Sequence, residues 1–539
     1  MTTAAVVGNT AWLAASWPEY QRFKRDARRL EATQRELLGR YLRTNTHTDF
    51  GRQHDFAGIG SWEAFTEKVP VRNYDDFEPW ISRIAVGESQ VLTAEKVRLF
   101  EPSSGSSGPA KLIPYTQTLQ AGIRRAVAAW TVHNFLSRPA LLGGRAYWSL
   151  TPRISVAQPD DCVIPVGFDE DSAYLGGIAQ RLINRTLATP SALRDVREVE
   201  MFWRLTLLYL LQCPDLRLVS VWHPSFLDLL VRRLRDNWAS LLRDLESGFA
   251  HADSGVKIAA NAPLARKLRA SGCDDLHRIW PELQLISCWA DGHAATGIPQ
   301  MQSLFPHAEI QGKGLIATEA FITVPIGDQC PLAIRSHVFE FLDDEGRALA
   351  PWSVEKGGVY SVVVTNGGGL YRYRLGDRVE VTGFHHDVPC LRFLGKEDQA
   401  SDYRGEKLTE AFVGAVLQKL FARSGLKPRF ALLAIEESAP APGYVLYIET
   451  DGQAPDSLQQ QLDTELRANP HYDLCVRLGQ LQPTRMVRVG ANAYEVYTRR
   501  LSELGFRIGN LKPTPLSRHG GWGSYFDAQV RVRQSSDNR

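Results

Sequence analysis

EPSSGSSGPAKLIP, residues 101–114, is the stretch on which the reading of this chain turns. Ser103, Ser104, Ser106 and Ser107 alternate with Gly105 and Gly108, and one cation, Lys111, precedes an apolar restart. Such a segment is either a flexible linker between modules or a loop whose backbone amides converge on a phosphate. Its surroundings decide. Alternating apolar residues, Val97, Leu99 and Phe100, come before it; Ile113, Pro114 and then a helical pattern over 117–135 come after. The order predicted is strand, loop, helix, which is where phosphate cradles occur in α/β proteins. The glycines permit positive φ, so successive N–H groups turn towards one anion, while the serine hydroxyls add donors and Lys111 a mobile point charge. The loop is not a Walker P-loop, because Lys111 does not follow directly on Gly108. Nor is it a G-x-S-x-G elbow, since its glycines enclose two serines.

The chain around this loop has 539 residues, enough for a large domain and a smaller one. Hydrophobic residues make up 44% and charged residues 23%, the balance of a globular protein, and the formal net charge of +2 argues against a dedicated nucleic-acid or membrane-surface binder. Seven cysteines are scattered without a C-x-x-C pair, which predicts reduced, mostly structural thiols and a cytoplasmic location. The N-terminus lacks the basic start of a secretory signal, and no apolar run approaches the roughly 20 residues of a membrane span.

Helical spacing predicts an amphipathic helix over 20–43 and further helices over 117–135, 194–213 and 223–248. The arginines of the first helix are interrupted by Asp26, Glu31 and Glu36, as on a solvated face with i,i+4 pairs. Strands and helices alternate to about residue 320, the texture of α/β layers. From 332 to 384 strands take over, with turns at Asp344–Gly346 and Asn366–Gly369. Beyond 395–403 a separate α+β unit is expected, with a helix starting near Glu406, two strands, and a helix over 456–468.

Three further fragments bear on the loop. In QGKGLIATEAFITVP, 311–325, a glycine-rich bend leads to Thr318 and Glu319. A carboxylate beside a phosphate requires a metal, which Glu319 would help to hold; a capping or surface glutamate is the alternative. In YRYRLGDRVEVTGF, 371–384, Asp377 follows Gly376 and has the acceptors for two ribose hydroxyls; an ordinary turn aspartate is the alternative. FLGKEDQASDYRGEKLTEAFV, 393–413, is charged, and Gly395 and Gly405 would let it rotate; a plain surface loop is the alternative.

In this order, SSGSSGPAK, ATEA, YRLGD and GKEDQASDYRGEKLTE, the four resemble the core motifs of the adenylate-forming acyl-CoA synthetase and luciferase superfamily. GEKLTE, the late NLKPTPLS at 510–517 and the long N-terminal stretch are similar to one branch, the auxin-responsive acyl acid–amido synthetases and their bacterial relatives. The chain departs from the superfamily pattern in Ser106-Ser107 of the loop, in Ala320 where glycine is frequent, and in Lys396 where arginine is common.

The resemblance implies an α/β fold: a large N-terminal adenylation domain over 1–397, with layered sheets and a small-barrel-like strand region, and a smaller mobile α+β domain over 398–539. It implies activation of a small-molecule carboxylic acid by ATP with Mg²⁺, then transfer of the acyl group to an amine, an amino acid. Ser103, Ser104, Gly105, Ser106, Ser107, Gly108 and Lys111 would hold the β- and γ-phosphates. Thr318 would contact the α-phosphate, Glu319 ligate Mg²⁺, Ala317 flank adenine and Asp377 bind ribose. Lys512 would be a lysine that swings in with the C-terminal domain during adenylation. Trp222, Trp289 and the helix over 117–135 are candidates for the acyl pocket. A monomer or weak homodimer is expected, with no nucleic acid or membrane partner. An acyl-CoA ligase of the same superfamily is the enzymatic alternative, and a non-catalytic nucleotide- or nucleic-acid-binding protein the alternative from another class.

Overall fold

A computed structural model of the chain describes residues 3–103, 111–149, 161–167, 186–196, 198–251, 254–397, 400–401, 403–437, 442–451, 455, 457–504, 514–517 and 519–526. The chain divides into two units, one of residues 1–290 with 298–393 and one of 291–297 with 394–539.

The first unit opens with helices α1 (Thr3–Asp26) and α2 (Leu30–Thr44). The sequence predicts one helix over 20–43. The apolar period does run through, but the chain breaks at 27–29 because tertiary partners take its groups: the Ala27 carbonyl accepts from Asp387 N, and the Asp26 carboxylate pairs with Arg335. Helix α3 (Tyr74–Ala85) follows.

Strands β1 (Leu99–Ser103) and β2 (Lys111–Tyr115) form an antiparallel hairpin with Ser103 opposite Lys111. The serine–glycine stretch therefore joins two strands instead of leading from a strand into a helix. Pro102 and Pro114 sit in this two-stranded ribbon, which as an edge structure tolerates the missing N–H groups. Residues 104–110 themselves lie outside the described residues.

Helix α4 (Gln117–Ser137) begins where Thr116 Oγ1 accepts from Leu119 N, and it buries Leu119, Gly122, Ile123 and Ala126. Gly122 is a close approach: a Cβ there would stand 2.6 Å from the Ser336 carbonyl oxygen. Helix α4 lies by a four-stranded parallel sheet of β3 (Arg145–Trp148), β4 (Leu216–Ser220), β5 (Leu285–Cys288) and β6 (Glu309–Gly312), in that spatial order. Trp130 and Asn134 of α4 both bond the Gln311 side chain on β6. Helices α5 (Val199–Leu211), α6 (Pro224–Asp236) and α7 (Trp238–Ser247) fill the crossovers. The helix expected over 223–248 is thus two helices, divided at Asn237, whose side chain turns back to the Arg233 carbonyl.

An antiparallel sheet completes this unit, in the order β8 (Ala348–Leu349), β7 (Val338–Leu342), β9 (Val359–Thr365), β10 (Tyr373–His385) and β11 (Val388–Lys396). The β9–β10 register slips between Ser361/Arg378 and Val363/Arg374, so that Leu375, Gly376 and Asp377 oppose Val362 alone. Gly376 takes φ +70° there, which admits the bulge.

In the second unit β12 (Phe430–Glu436) and β13 (Gly443–Glu449) pair antiparallel, flanked by the parallel strands β14 (Gln482–Arg488) and β15 (Leu516–Ser517). Leu433, Leu446 and Ile448 face helices α8 (Glu410–Ser424) and α9 (Ser457–Leu466), while Leu432, Val445 and Tyr447 face α10 (Ala493–Glu503) and Trp522. Both faces of β12 and β13 are covered, which is why these strands read as continuous apolar runs.

Candidate active site

The site grows from a tight turn. Ile316 and Phe321 form a bridge, and Ala317 and Ala320 exchange backbone hydrogen bonds of 2.9 and 3.3 Å, leaving Thr318 and Glu319 at the two corners. Gly314, at φ +68°, starts this excursion; a Cβ there would collide with Thr323 Oγ1, which accepts from Leu315 N. Four contacts hold the turn. The Tyr115 hydroxyl donates to the Thr318 carbonyl at 2.6 Å, Asn366 Nδ2 to the Glu319 carbonyl at 2.8 Å, and the Tyr373 hydroxyl to Glu319 Oε1 at 3.2 Å. Phe321 N donates to His337 Nε2 at 3.2 Å. Ala320 is fully buried.

The anchors converge because the sequence around each is locally strained or capped. Arg372 holds φ +50°, a conformation costly for any residue but glycine, and this bend directs Tyr373 into the site. It is fixed by a buried ion pair: Arg372 Nε and Nη2 donate to the two oxygens of Glu340 at 2.9 and 2.8 Å, and Nη1 to the Thr66 and Val69 carbonyls. Thr116 Oγ1, at the head of α4, donates to the Gly367 carbonyl at 2.7 Å and ties the β9–β10 connection to that helix.

Lys111 Nζ lies 5.6 Å from the centre of the Tyr74 ring, and the Tyr74 hydroxyl accepts from Leu112 N at 2.8 Å. Burial, together with the charges of Glu78 and Glu319, pushes the Tyr74 phenol up to about 12. Burial raises Tyr373 as well, reinforced by Glu319 and more weakly by Tyr74 and Asp377; Tyr115 is raised by burial and by Glu101 and Glu319. Three protonated phenols therefore share one neighbourhood with the carboxylates of Glu319 and Asp377. Asp377 is only 2% exposed.

Of the residues the sequence singles out, Ala317, Thr318 and Glu319 share one turn, Lys111 lies over Tyr74, and Asp377 acts on Tyr373; the Glu319 charge is felt by both of those phenols. Ser103 closes the hairpin backbone opposite Lys111. Ser104, Gly105, Ser106, Ser107, Gly108 and Lys512 lie outside the described residues. Trp222 and Trp289 extend from the carboxyl ends of β4 and β5 with ring centroids 5.3 Å apart, and Lys313 Nζ, beyond β6, lies over the Trp222 ring and 2.5 Å from Ser220 Oγ. Carboxyl ends of parallel strands are where α/β sheets take ligands. Tyr115, His337, Asn366 and Tyr373 escape the sequence reading. Asn366 is visible there only as a hairpin residue and Tyr373 only as an alternating strand aromatic.

His337 is buried, and burial with the Arg125 charge lowers its pKa to about 3. Its Nδ1 has no hydrogen-bond partner among the described residues. Between the ordinary histidine pKa and about 3, the unfolded chain binds a proton that the folded chain refuses, so stability is full above that window and falls as pH drops through it, by at most about 1.4 kcal/mol per pH unit. His337→Gln, whose amide oxygen can still accept from Phe321 N, is expected to flatten this slope. Urea unfolding of both proteins from about pH 7 to about pH 5 measures it; parallel curves would remove the assignment.

Family models described as the GH3 family N-terminal, central and C-terminal domains match residues 19–310, 330–396 and 411–520. The chain is 25% identical over 472 residues to indole-3-acetic acid-amido synthetase GH3.2 of Arabidopsis thaliana, covering 78% of this chain and 85% of that one. It is 27% identical over 465 residues to indole-3-acetic acid-amido synthetase GH3.8 of Oryza sativa subsp. indica, covering 78% and 76%. The fold superposes on AtGH3.15 acyl acid amido synthetase in complex with 2,4-DB with a TM-score of 0.83 at 19% identity, covering 94% of this chain and 95% of that one. With 2-hydroxyisobutyryl-CoA ligase in the postadenylation state the TM-score is 0.52 at 14% identity, covering 87% and 91%.

Proposed function

The chain belongs to the GH3 family, and on that premise we propose that it is an ATP-dependent, AMP-forming ligase joining a carboxylic acid to an amine, with an amino acid as acceptor. The observation that carries the reading is the convergence of Lys111, the Thr318–Glu319 turn and Asp377 in a chain matched along most of its length by one family.

A carboxylate is a poor electrophile. In the first half-reaction its oxygen attacks the α-phosphorus of ATP, the bond from that phosphorus to the α,β-bridging oxygen breaks, and pyrophosphate leaves with the oxygen. In the second, the amine attacks the carbonyl of the acyl-adenylate, loses a proton and expels AMP. Catalysis of this kind is mainly positioning and charge neutralisation. Ser103, Ser104, Gly105, Ser106, Ser107, Gly108 and Lys111 hold the β- and γ-phosphates, Thr318 the α-phosphate, Ala317 the adenine edge and Asp377 the ribose. Lys512 brings a cation to the α-phosphate during adenylation. Residues 398–539 move between the two half-reactions, and Gly405, at φ +95°, lies in the segment that turns.

The donor set suits Mg²⁺. Glu319 offers one hard carboxylate, and the described residues hold no cluster of three His, Cys, Asp or Glu that would form an all-protein cage. Mg²⁺ ordinarily keeps waters and substrate phosphates and takes one or two carboxylates. Bound there, it would neutralise phosphate charge; Glu319 would hold it.

A pyrophosphate-release screen of carboxylic acids, crossed with the amino acids and coenzyme A, tests the reading. Release that depends on the acid, followed by amide formation with an amino acid, is expected. Thioester formation with coenzyme A in place of amide would transfer the chain to the acyl-CoA ligases, and nucleotide binding without turnover across a broad panel would end the enzymatic reading.

A further inference from the structure

We propose that Tyr373 and Asn366, at the two ends of the β9–β10 connection, are positioning residues that preset the Glu319 carboxylate to receive a divalent cation. This rests on Glu319 being the Mg²⁺ ligand of the proposed ligase, and it names the residues that make that ligand competent.

The connection grips this one glutamate twice. Asn366 Nδ2 holds its main-chain carbonyl at 2.8 Å, and the Tyr373 hydroxyl holds side-chain Oε1 at 3.2 Å. The Asn366 amide cannot swivel, because its Oδ1 accepts from Gly368 N at 2.9 Å and Leu370 N at 3.3 Å. Nor can the connection retreat. Gly369 turns at φ +98° against Leu92, and a Cβ on Gly368 would stand 2.3 Å from the Pro114 carbonyl oxygen. At the far end, the Arg372–Glu340 pair fixes the bend before Tyr373. Among the described residues Glu319 Oε1 takes the tyrosine bond alone and Oε2 takes none.

The chemistry explains why such a clamp is useful. A lone carboxylate on Mg²⁺ loses side-chain freedom when it binds, since phosphates and waters fill the other positions. A donor on one oxygen sets the rotamer in advance and leaves the second oxygen for the cation. Partners of this kind change metal affinity by about 10- to 100-fold when removed.

The test uses the full chain with Mn²⁺ as the probe and α,β-methylene-ATP as the nucleotide, free Mn²⁺ being read by electron paramagnetic resonance. Tyr373→Phe deletes one hydroxyl. It is expected to weaken Mn²⁺ binding in the ternary complex about 10-fold, with nucleotide affinity in EDTA unchanged. Glu319→Gln and the double variant close a cycle in which the Tyr373 effect disappears once Glu319 is gone. If Glu319→Gln leaves Mn²⁺ binding unchanged, the metal role of Glu319 falls and the clamp with it. If Glu319→Gln weakens binding and Tyr373→Phe does not, the clamp alone falls. An equal Tyr373 effect with and without Glu319 marks a merely structural tyrosine and also overturns the proposal. Should Tyr373→Phe not fold, Asn366→Asp, which keeps the Oδ1 contacts and loses the donor, takes its place in the cycle: a weakening that depends on Glu319 supports the clamp, and its absence overturns it.

Discussion

Glu340→Ala is expected to lower the stability of the first unit by about 3–5 kcal/mol. The Arg372 and Glu340 side chains are 5% and 2% exposed, and two parallel N–H···O bonds join them. Taking two charges out of water costs nearly what their attraction returns, so the pair as a whole contributes little net stability. Removing one partner is different: the guanidinium stays buried with its charge uncompensated, held among the described residues by the Thr66 and Val69 carbonyls. The bend at Arg372 loses its anchor at the same time, and Tyr373 with it. Urea unfolding followed by tryptophan fluorescence reads the loss. Adding Arg372→Met to a Glu340→Met variant is expected to recover much of it, because an apolar pair of similar volume carries no stranded charge. A loss below about 1 kcal/mol in Glu340→Ala would mean that the guanidinium finds another partner or water, and the bend would need another explanation.

Lys512→Ala is expected to cut acid-dependent pyrophosphate release by about 10²–10³-fold, the effect of removing one preorganised charge from a developing oxyanion, roughly 3–4 kcal/mol. The loss should be confined to adenylation. Aminolysis of a chemically prepared acyl-adenylate is expected to proceed at close to the parental rate, and the melting temperature should not move. That separation matters, because a surface lysine would affect neither half-reaction and a structural one would affect both. Normal adenylation by Lys512→Ala would remove the lysine from the mechanism.

Much of this protein was legible in the order of its motifs. ATEA fell on a turn, and YRLGD fell where a strand bulges around Asp377, because both stretches carry their own turn chemistry: Gly314 and Gly376 adopt positive φ in the structure. The helix after Thr116 was equally local, with its cap and its apolar stripe written in consecutive residues. Reading failed where a distant group decided. The helix expected over 20–43 kept its period but broke at Ala27, whose carbonyl is taken by Asp387. The run before the serine–glycine loop was correctly a strand. What it pairs with is another strand, Lys111–Tyr115, which the pattern of residues alone presented as a lead-in to a helix.

Taken by itself, then, the sequence determined the α/β class, the order of its four motifs and the family they belong to. Composition, turn residues and spacing are properties of neighbouring positions. Tertiary structure alone decided what holds the Thr318–Glu319 turn: Tyr115 reaches Thr318 from 203 residues away, and Tyr373 and Asn366 reach Glu319 from 54 and 47. It also decided that an arginine would take a backbone conformation glycine usually fills, because a buried glutamate 32 residues earlier compensates both its charge and its strain. Hydrogen bonds between buried groups depend on packing in three dimensions, and no local pattern of residues encodes that distance.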